Sequence, residues 1–122
     1  PLEPGIKILY KPMGVIGCVM PSTNPVATII GNAMMALKGR NSVIIAPHPM
    51  SVRLSVKMVK LLREALESVG APADLIQCIS EEYASREATN LMMSTCDACI
   101  STGGAGRVKA AYSSGKPAFG VG

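Results

Sequence analysis

Short, almost wholly apolar runs alternate along the chain with longer stretches of helical pattern, and proline or glycine stands at most of the changes between them. Val15-Ile16-Gly17-Cys18-Val19-Met20 is apolar throughout and of strand length, as expected of a strand covered on both faces in a parallel sheet. Pro21 ends it. After Ser22-Thr23-Asn24, the pattern predicts a helix with Asn24 as cap and Pro25 in its first turn, running to about Lys38 and stopping at Gly39. Apolar residues surround this helix, which predicts that it is largely buried. Val43-Ile44-Ile45-Ala46 reads as the second strand, broken by Pro47-His48-Pro49.

From Ser51 to Val69 the apolar positions Val52, Val56, Val59, Leu62, Leu66 and Val69 recur at three- and four-residue spacing, with charged residues between them. This predicts an amphipathic helix, stopped by Gly70 and Pro72. Leu75 to Ile79 reads as the third strand, Ser85 to Met93 as a shorter helix, and Ala98 to Ser101 as the fourth strand. Thr102-Gly103-Gly104-Ala105-Gly106 follows as a turn into a helix ending near Ser114-Gly115, and Pro117 to Val121 begins a fifth strand. Ahead of all this, Ile6-Lys7-Ile8-Leu9-Tyr10, closed by Pro12, reads as a leading strand or a linker.

Apolar strands alternating with helices define the α/β class: a Rossmann-like, doubly wound open parallel sheet of about five strands with helices on both faces. Ligands bind such sheets beyond the carboxyl ends of the strands. Pro21 to Asn24, Ala46 to His48, Ser80, and Thr102 to Gly106 then share one edge. The glycine turn suits close approach of a ligand, and the helix start behind it favours an anion such as a phosphate. A glycine turn between strand and helix is also an ordinary connection, so the turn alone decides nothing.

Composition narrows the choices. Aromatic residues at 3% leave no stacking surface for nucleic acid, and 48% hydrophobic residues exclude a disordered chain. The net charge of +4 is spread without a basic block, as on a mildly cationic surface suited to a small anion. Met13 to Leu37 carries no charge, yet Pro21, Asn24 and Pro25 at its centre argue against a membrane span. Cys18, Cys78, Cys96 and Cys99 in apolar surroundings suggest reduced thiols in a cytosolic setting. The start at Pro1, without initiator methionine or signal-like segment, leads to the expectation of a piece of a longer protein.

Several motifs in order carry a resemblance: Gly14-Val15-Ile16, Pro21-Ser22-Thr23-Asn24-Pro25, Ala36 to Asn41, Pro47-His48-Pro49, Thr102-Gly103-Gly104, and Val108 to Pro117. Together they resemble the coenzyme-binding domain of the aldehyde dehydrogenase superfamily. They are most similar to its CoA-acylating branch, which includes the aldehyde half of bifunctional aldehyde–alcohol dehydrogenases and the propionaldehyde and acetaldehyde enzymes of bacterial microcompartments. The resemblance implies oxidation of a small aldehyde through a cysteine thiohemiacetal, hydride transfer to NAD or NADP, and release of the thioester to coenzyme A. It divides the chain into an extended lead-in at residues 1–11 and an incomplete NAD(P)-binding domain at 12–122, with the catalytic domain absent.

By the same resemblance Gly103 and Gly104 lie against the pyrophosphate and nicotinamide side of the cofactor, and Ala46, Pro47 and His48 line the adenosine side. Met20, Pro21, Ser22 and Thr23, with Thr102 and Val108, complete the candidate cofactor-binding set. Asn24 is the candidate catalytic residue, an amide donor to the oxyanion of the intermediate. Two departures from the hydrolytic branch carry chemistry. Ala46 stands where that branch has a lysine, removing a ribose contact. Gly120 aligns with its water-activating glutamate, so a thiol acceptor is favoured over water. In addition, Asn24 lies one residue further from the first proline than the corresponding asparagine, which allows its side chain another direction.

The family's catalytic cysteine lies downstream, and none of the four cysteines matches it. Burial in strands accounts for Cys18, Cys78 and Cys99, and the Cys96-Asp97-Ala98-Cys99 spacing precedes a strand, unlike a thioredoxin-type motif. His48 serves either ligand contact or turn packing, and it has no neighbours at metal-ligand spacing. Asn24 as helix cap stands beside Asn24 as oxyanion donor. Met34-Met35 and Met92-Met93 read as core filler, and Arg107 and Lys109, near the helix start, as either a phosphate contact or solvated surface. The expected protein is a cytoplasmic or microcompartment homo-oligomer acting on an aldehyde with CoA, without nucleic-acid or membrane partners. A hydrolytic aldehyde dehydrogenase and a non-catalytic nucleotide-binding module are the alternatives.

Overall fold

A computed structural model of the chain describes residues 5–122. Five strands form one parallel sheet: β1 (Val15–Val19), β2 (Ser42–Ala46), β3 (Ile76–Cys78), β4 (Ala98–Thr102) and β5 (Ala118–Val121), in the spatial order β3-β2-β1-β4-β5. Four α-helices connect them: α1 (Pro25–Lys38), α2 (Val52–Ser68), α3 (Arg86–Thr95) and α4 (Ala105–Tyr112). The chain begins at the centre of the sheet, steps outward to β3, then returns to the other flank of β1. That reversal between β1 and β4 is the switch point at which such sheets open a crevice.

Strand alternation sorts the core onto two faces. Ile16, Cys18 and Met20 of the first strand and its exit, with Val43 and Ile45 of β2 and Ile76 of β3, pack against Ile29, Ala33 and Ala36 of α1 and Val59 of α2. Val19, Ala46 and Cys99 face the other way, against Met92, Met93 and Cys96 on or just after α3 and Ala111 of α4. Full burial of a residue such as Ile29 or Ile45 contributes about 1.5–3 kcal/mol. Gly17 lets α3 come close, since a Cβ there would stand 2.9 Å from Cys96 Sγ.

The amino end of the sheet is clamped by side chains. Asn41 Oδ1 accepts the N–H groups of Met13 (2.6 Å) and Gly14 (3.0 Å), and Asp97 Oδ2 accepts that of Val15 (2.7 Å). Gly14 has φ +123°, a conformation that L side chains rarely adopt.

Several expectations need correction. Only one face of α1 is buried, through Pro25, Ile29, Asn32, Ala33 and Ala36, because the sheet and α2 meet it on that side alone. Met34 and Met35 are consequently 65% and 61% exposed and are not core filler, whereas Met92 and Met93 are. Val69 leaves the stripe of α2, since the helix closes at Ser68 and the following turn exposes it. The strand expected over Leu75 to Ile79 is shorter, because Ala73–Leu75 forms a 3-10 turn. Asn24 makes no capping hydrogen bond with its side chain, although its carbonyl accepts the Thr28 N–H at 3.2 Å. No strand forms between Ile6 and Met13, an exposed stretch tied back by Arg40 Nη2 donating to the Tyr10 carbonyl at 2.8 Å. The first four residues of the predicted lead-in lie outside the described residues.

Candidate functional site

The carboxyl edge of the sheet gathers the predicted positions through main-chain links. Met20 N–H donates to the Ala46 carbonyl at 3.0 Å, joining the exits of β1 and β2, and Gly103 N–H donates to Val121 at 3.0 Å, joining those of β4 and β5. Pro21, Ala46 and Pro47 are buried at this edge, while Ser22, Thr23, Asn24 and Gly104 are exposed and Thr102 and Gly103 half-buried.

The glycine turn is built for close approach. Gly103 has φ +152°, and the space that a Cβ on Gly104 would enter is open. The first N–H groups of α4 have no acceptors inside the helix, and its first turn contains no acid. That combination suits an anion. Replacing Gly104, whose φ of −61° any residue adopts, with valine is expected to leave thermal stability unchanged and to weaken NAD(P) binding about tenfold or more. Unchanged affinity by calorimetry would remove the turn from the site.

Beside the turn lies a cavity of about 270 Å³ between α3 and α4. Val19, Pro47, Met93 and Ala110 give it apolar walls, Ser85, Thr89 and Asn90 add polar groups, and Arg86 and Arg107 add positive charge. Of the two readings of Arg107, solvated surface does not hold: its Nη1 reaches back across the edge to the Met20 carbonyl at 3.4 Å. Lys109 is exposed. Ser22 and Thr23 border a separate, more open groove with Met50, Ser51 and Arg53. The side chain of Met20 is wholly buried in the core, so its carbonyl is what it offers at the edge. Val108 packs toward Gly120 and Gly122 on β5 and the residue after it.

Asn24 is held by its oxygen. Its Oδ1 accepts from the Thr23 hydroxyl at 3.4 Å, while the Thr28 hydroxyl, 3.3 Å from Oδ1, makes its shorter contact with the Asn24 carbonyl at 2.9 Å. The amide Nδ2 has no acceptor among the described residues, so it remains available as a donor. His48 Nδ1 accepts the Met50 N–H at 3.2 Å, which places the proton of a neutral imidazole on Nε2. Burial, and secondarily the charge of Arg107, lower the His48 pKa and favour that neutral form.

The cysteines are unsuited to nucleophilic work. Burial pushes the Cys18 thiol up to about 12 and those of Cys78 and Cys99 to about 11, far from the thiolate that attack requires. Cys96 Sγ and Cys99 Sγ lie 3.4 Å apart as packed thiols. Among the described residues there is no group of three metal-ligating side chains, and no helix is long and apolar enough to cross a membrane.

The α3 wall of the cavity, from Ser85 to Asn90, is the part that the motifs did not disclose. A short polar helix with no glycine signature carries no sign of its role in sequence. Its one signal in sequence is Ser85 at a helix start, where the hydroxyl accepts the Ala88 N–H at 3.0 Å.

An open parallel sheet with a glycine turn and a cationic cavity at its switch point is the Rossmann-like α/β arrangement, in which ligands bind at that crevice. The profile of the aldehyde dehydrogenase family matches residues 4–115, and the chain belongs to that family. It is 51% identical to the succinate-semialdehyde dehydrogenase (acetylating) of Clostridium kluyveri, an alignment covering 98% of this chain and 26% of the relative. An acetylating aldehyde dehydrogenase from Geobacillus thermoglucosidasius superposes with TM-score 0.88 at 44% identity, over 92% of this chain and 25% of that one. The propionaldehyde dehydrogenase of Rhodopseudomonas palustris, solved with bound propionyl-CoA, gives TM-score 0.86 at 41% identity, over 91% of this chain and 25% of that one. The chain thus spans about a quarter of the length of these relatives.

Proposed function

We propose that the chain is the coenzyme-binding segment of an NAD(P)-dependent, CoA-acylating aldehyde dehydrogenase, which converts an aldehyde, CoA and NAD(P)+ to acyl-CoA, NAD(P)H and a proton. The observation that carries the acylating reading is Gly120. A Cβ at this position would collide with Val108 Cγ1 and come within 3.2 Å of Tyr112 Cε2. The place where the hydrolytic branch holds its water-activating glutamate is therefore closed by α4. Without such a base, a thiol is the better acceptor for the acyl group. The names of the relatives agree with this reading.

The edge fits a dinucleotide. The apolar walls of the cavity suit an adenine, and the open face of Gly104 with the start of α4 suits the pyrophosphate. Once bound, NAD(P)+ accepts the hydride. The residues of this chain bind and orient: Gly103 and Gly104 admit the pyrophosphate, Ala46, Pro47 and His48 border the adenosine side, and Asn24 Nδ2 donates to the developing oxyanion. We assign the substrate as a small aldehyde and the protein as a cytoplasmic or microcompartment homo-oligomer.

The test is NAD(P)H formation by the intact protein with a short aldehyde, with and without CoA. The proposal expects turnover that depends on CoA and yields a thioester. Equal rates without CoA would defeat the acylating assignment, and no reduction of either coenzyme would defeat the oxidoreductase reading.

A further inference from the structure

The cavity between α3 and α4 is lined by two arginines, and only one of them rides on the helix that the glycine turn begins. Arg107 stands three residues beyond Gly104 in α4 and is anchored to the Met20 carbonyl, beside the turn that admits the pyrophosphate. Arg86, the first residue of α3, approaches the same cavity from the other helix. No aspartate or glutamate lines the cavity. Arg53 and Arg63 pair with Glu81 at 2.9 Å and Asp74 at 3.1 Å, yet Arg86 has neither ion pair nor hydrogen bond among the described residues. The neighbouring polar groups do not replace a missing acid: the Ser85 hydroxyl accepts from Ala88 N–H at 3.0 Å, and Thr89 Oγ1 donates to the Ser85 carbonyl at 2.9 Å. An unpaired guanidinium at the rim of an adenosine-sized slot offers a two-pronged donor matched to phosphate oxygens.

We propose that Arg86 reads a phosphate on the ribose of a bound adenosine, which makes the cavity selective for a phosphorylated adenosine over a plain one. The inference rests on the coenzyme-binding reading above. Two ligands of that reading carry this group, NADP at the 2′ position and CoA at the 3′ position, whereas NAD carries none. The missing acid at the exit of β2, where Ala46-Pro47-His48 offers no carboxylate to a free ribose hydroxyl, agrees with a site that does not select the unphosphorylated form.

Calorimetric titration of the intact protein with 5′-AMP, adenosine 2′,5′-bisphosphate and adenosine 3′,5′-bisphosphate, for the wild type and the Arg86→Gln and Arg86→Lys variants, tests the assignment. At least one bisphosphate is expected to bind about tenfold or more tighter than 5′-AMP, as for a charge-assisted hydrogen bond. Arg86→Gln should bring the ratio of bisphosphate to 5′-AMP affinity toward one, with binding of 5′-AMP still detectable as a report of an intact cavity, and Arg86→Lys should restore part of the ratio. A gain for the 2′ isomer alone identifies NADP as the source, a gain for the 3′ isomer alone identifies CoA, and a gain for both a shared subsite. Equal binding of the three nucleotides, or a gain that survives Arg86→Gln, overturns the role of Arg86 and leaves the coenzyme reading standing. Failure of all three to bind overturns that reading and this inference with it.

Discussion

Replacing Asn24 with alanine is expected to lower kcat of the intact enzyme about a hundredfold or more, with NAD(P) affinity unchanged. The Thr23 hydroxyl donates to Oδ1 at 3.4 Å, while Nδ2 lacks a protein acceptor among the described residues. A donor fixed in advance by its neighbours loses little freedom when charge develops on a substrate oxygen. That is the condition under which one hydrogen bond affects rate strongly. The side chain makes no capping contact with α1, so its truncation leaves the helix start in place. Stopped-flow or steady-state rates with saturating aldehyde and CoA provide the measure. A variant that retains wild-type kcat would reduce Asn24 to a residue of the β1–α1 turn.

The second large effect is on stability. Gly14→Val is expected to destabilise the protein by about 2–6 kcal/mol, since a β-branched residue at positive φ is strained by about 1–3 kcal/mol and the displaced hydrogen bond adds about 1–3. Gly14 has φ +123°, and a Cβ on it would collide with the Asp97 carboxylate that receives the Val15 N–H at 2.7 Å. The damage falls on the entrance to β1, the central strand, where Asn41 and Asp97 clamp the chain from either side. Thermal unfolding of the intact protein should show a lower midpoint with coenzyme affinity per folded molecule retained. An unaltered midpoint would mean that the clamp is dispensable.

The sheet was readable in sequence because its strands are covered on both faces and therefore apolar throughout, as in Val15 to Met20 and Val43 to Ala46, with Pro21 and Pro47 at their exits. The glycine turn was readable for the same reason that it works: only residues without a Cβ suit φ +152° at Gly103. Tertiary placement was less accessible. Met34 and Met35 have the chemistry of core residues, and only the one-sided contact of α1 with sheet and α2 shows them to be exposed. Arg107 looked like surface because its inward turn depends on the Met20 carbonyl, 87 residues earlier in the chain. Arg86 and Ser85 carry no motif. Their place at the cavity follows from the return of α3 across the second face of the sheet.

The link from Arg107 to the Met20 carbonyl has a thermodynamic consequence. Met20 immediately precedes Pro21-Ser22-Thr23-Asn24, while Arg107 rides on the helix that the glycine turn begins. The glycine turn proposed to anchor the coenzyme and the turn that carries Asn24 therefore share one hydrogen bond across the switch point. Free-energy changes at the two places are expected to be coupled, so that the cost of altering both differs from the sum of altering each.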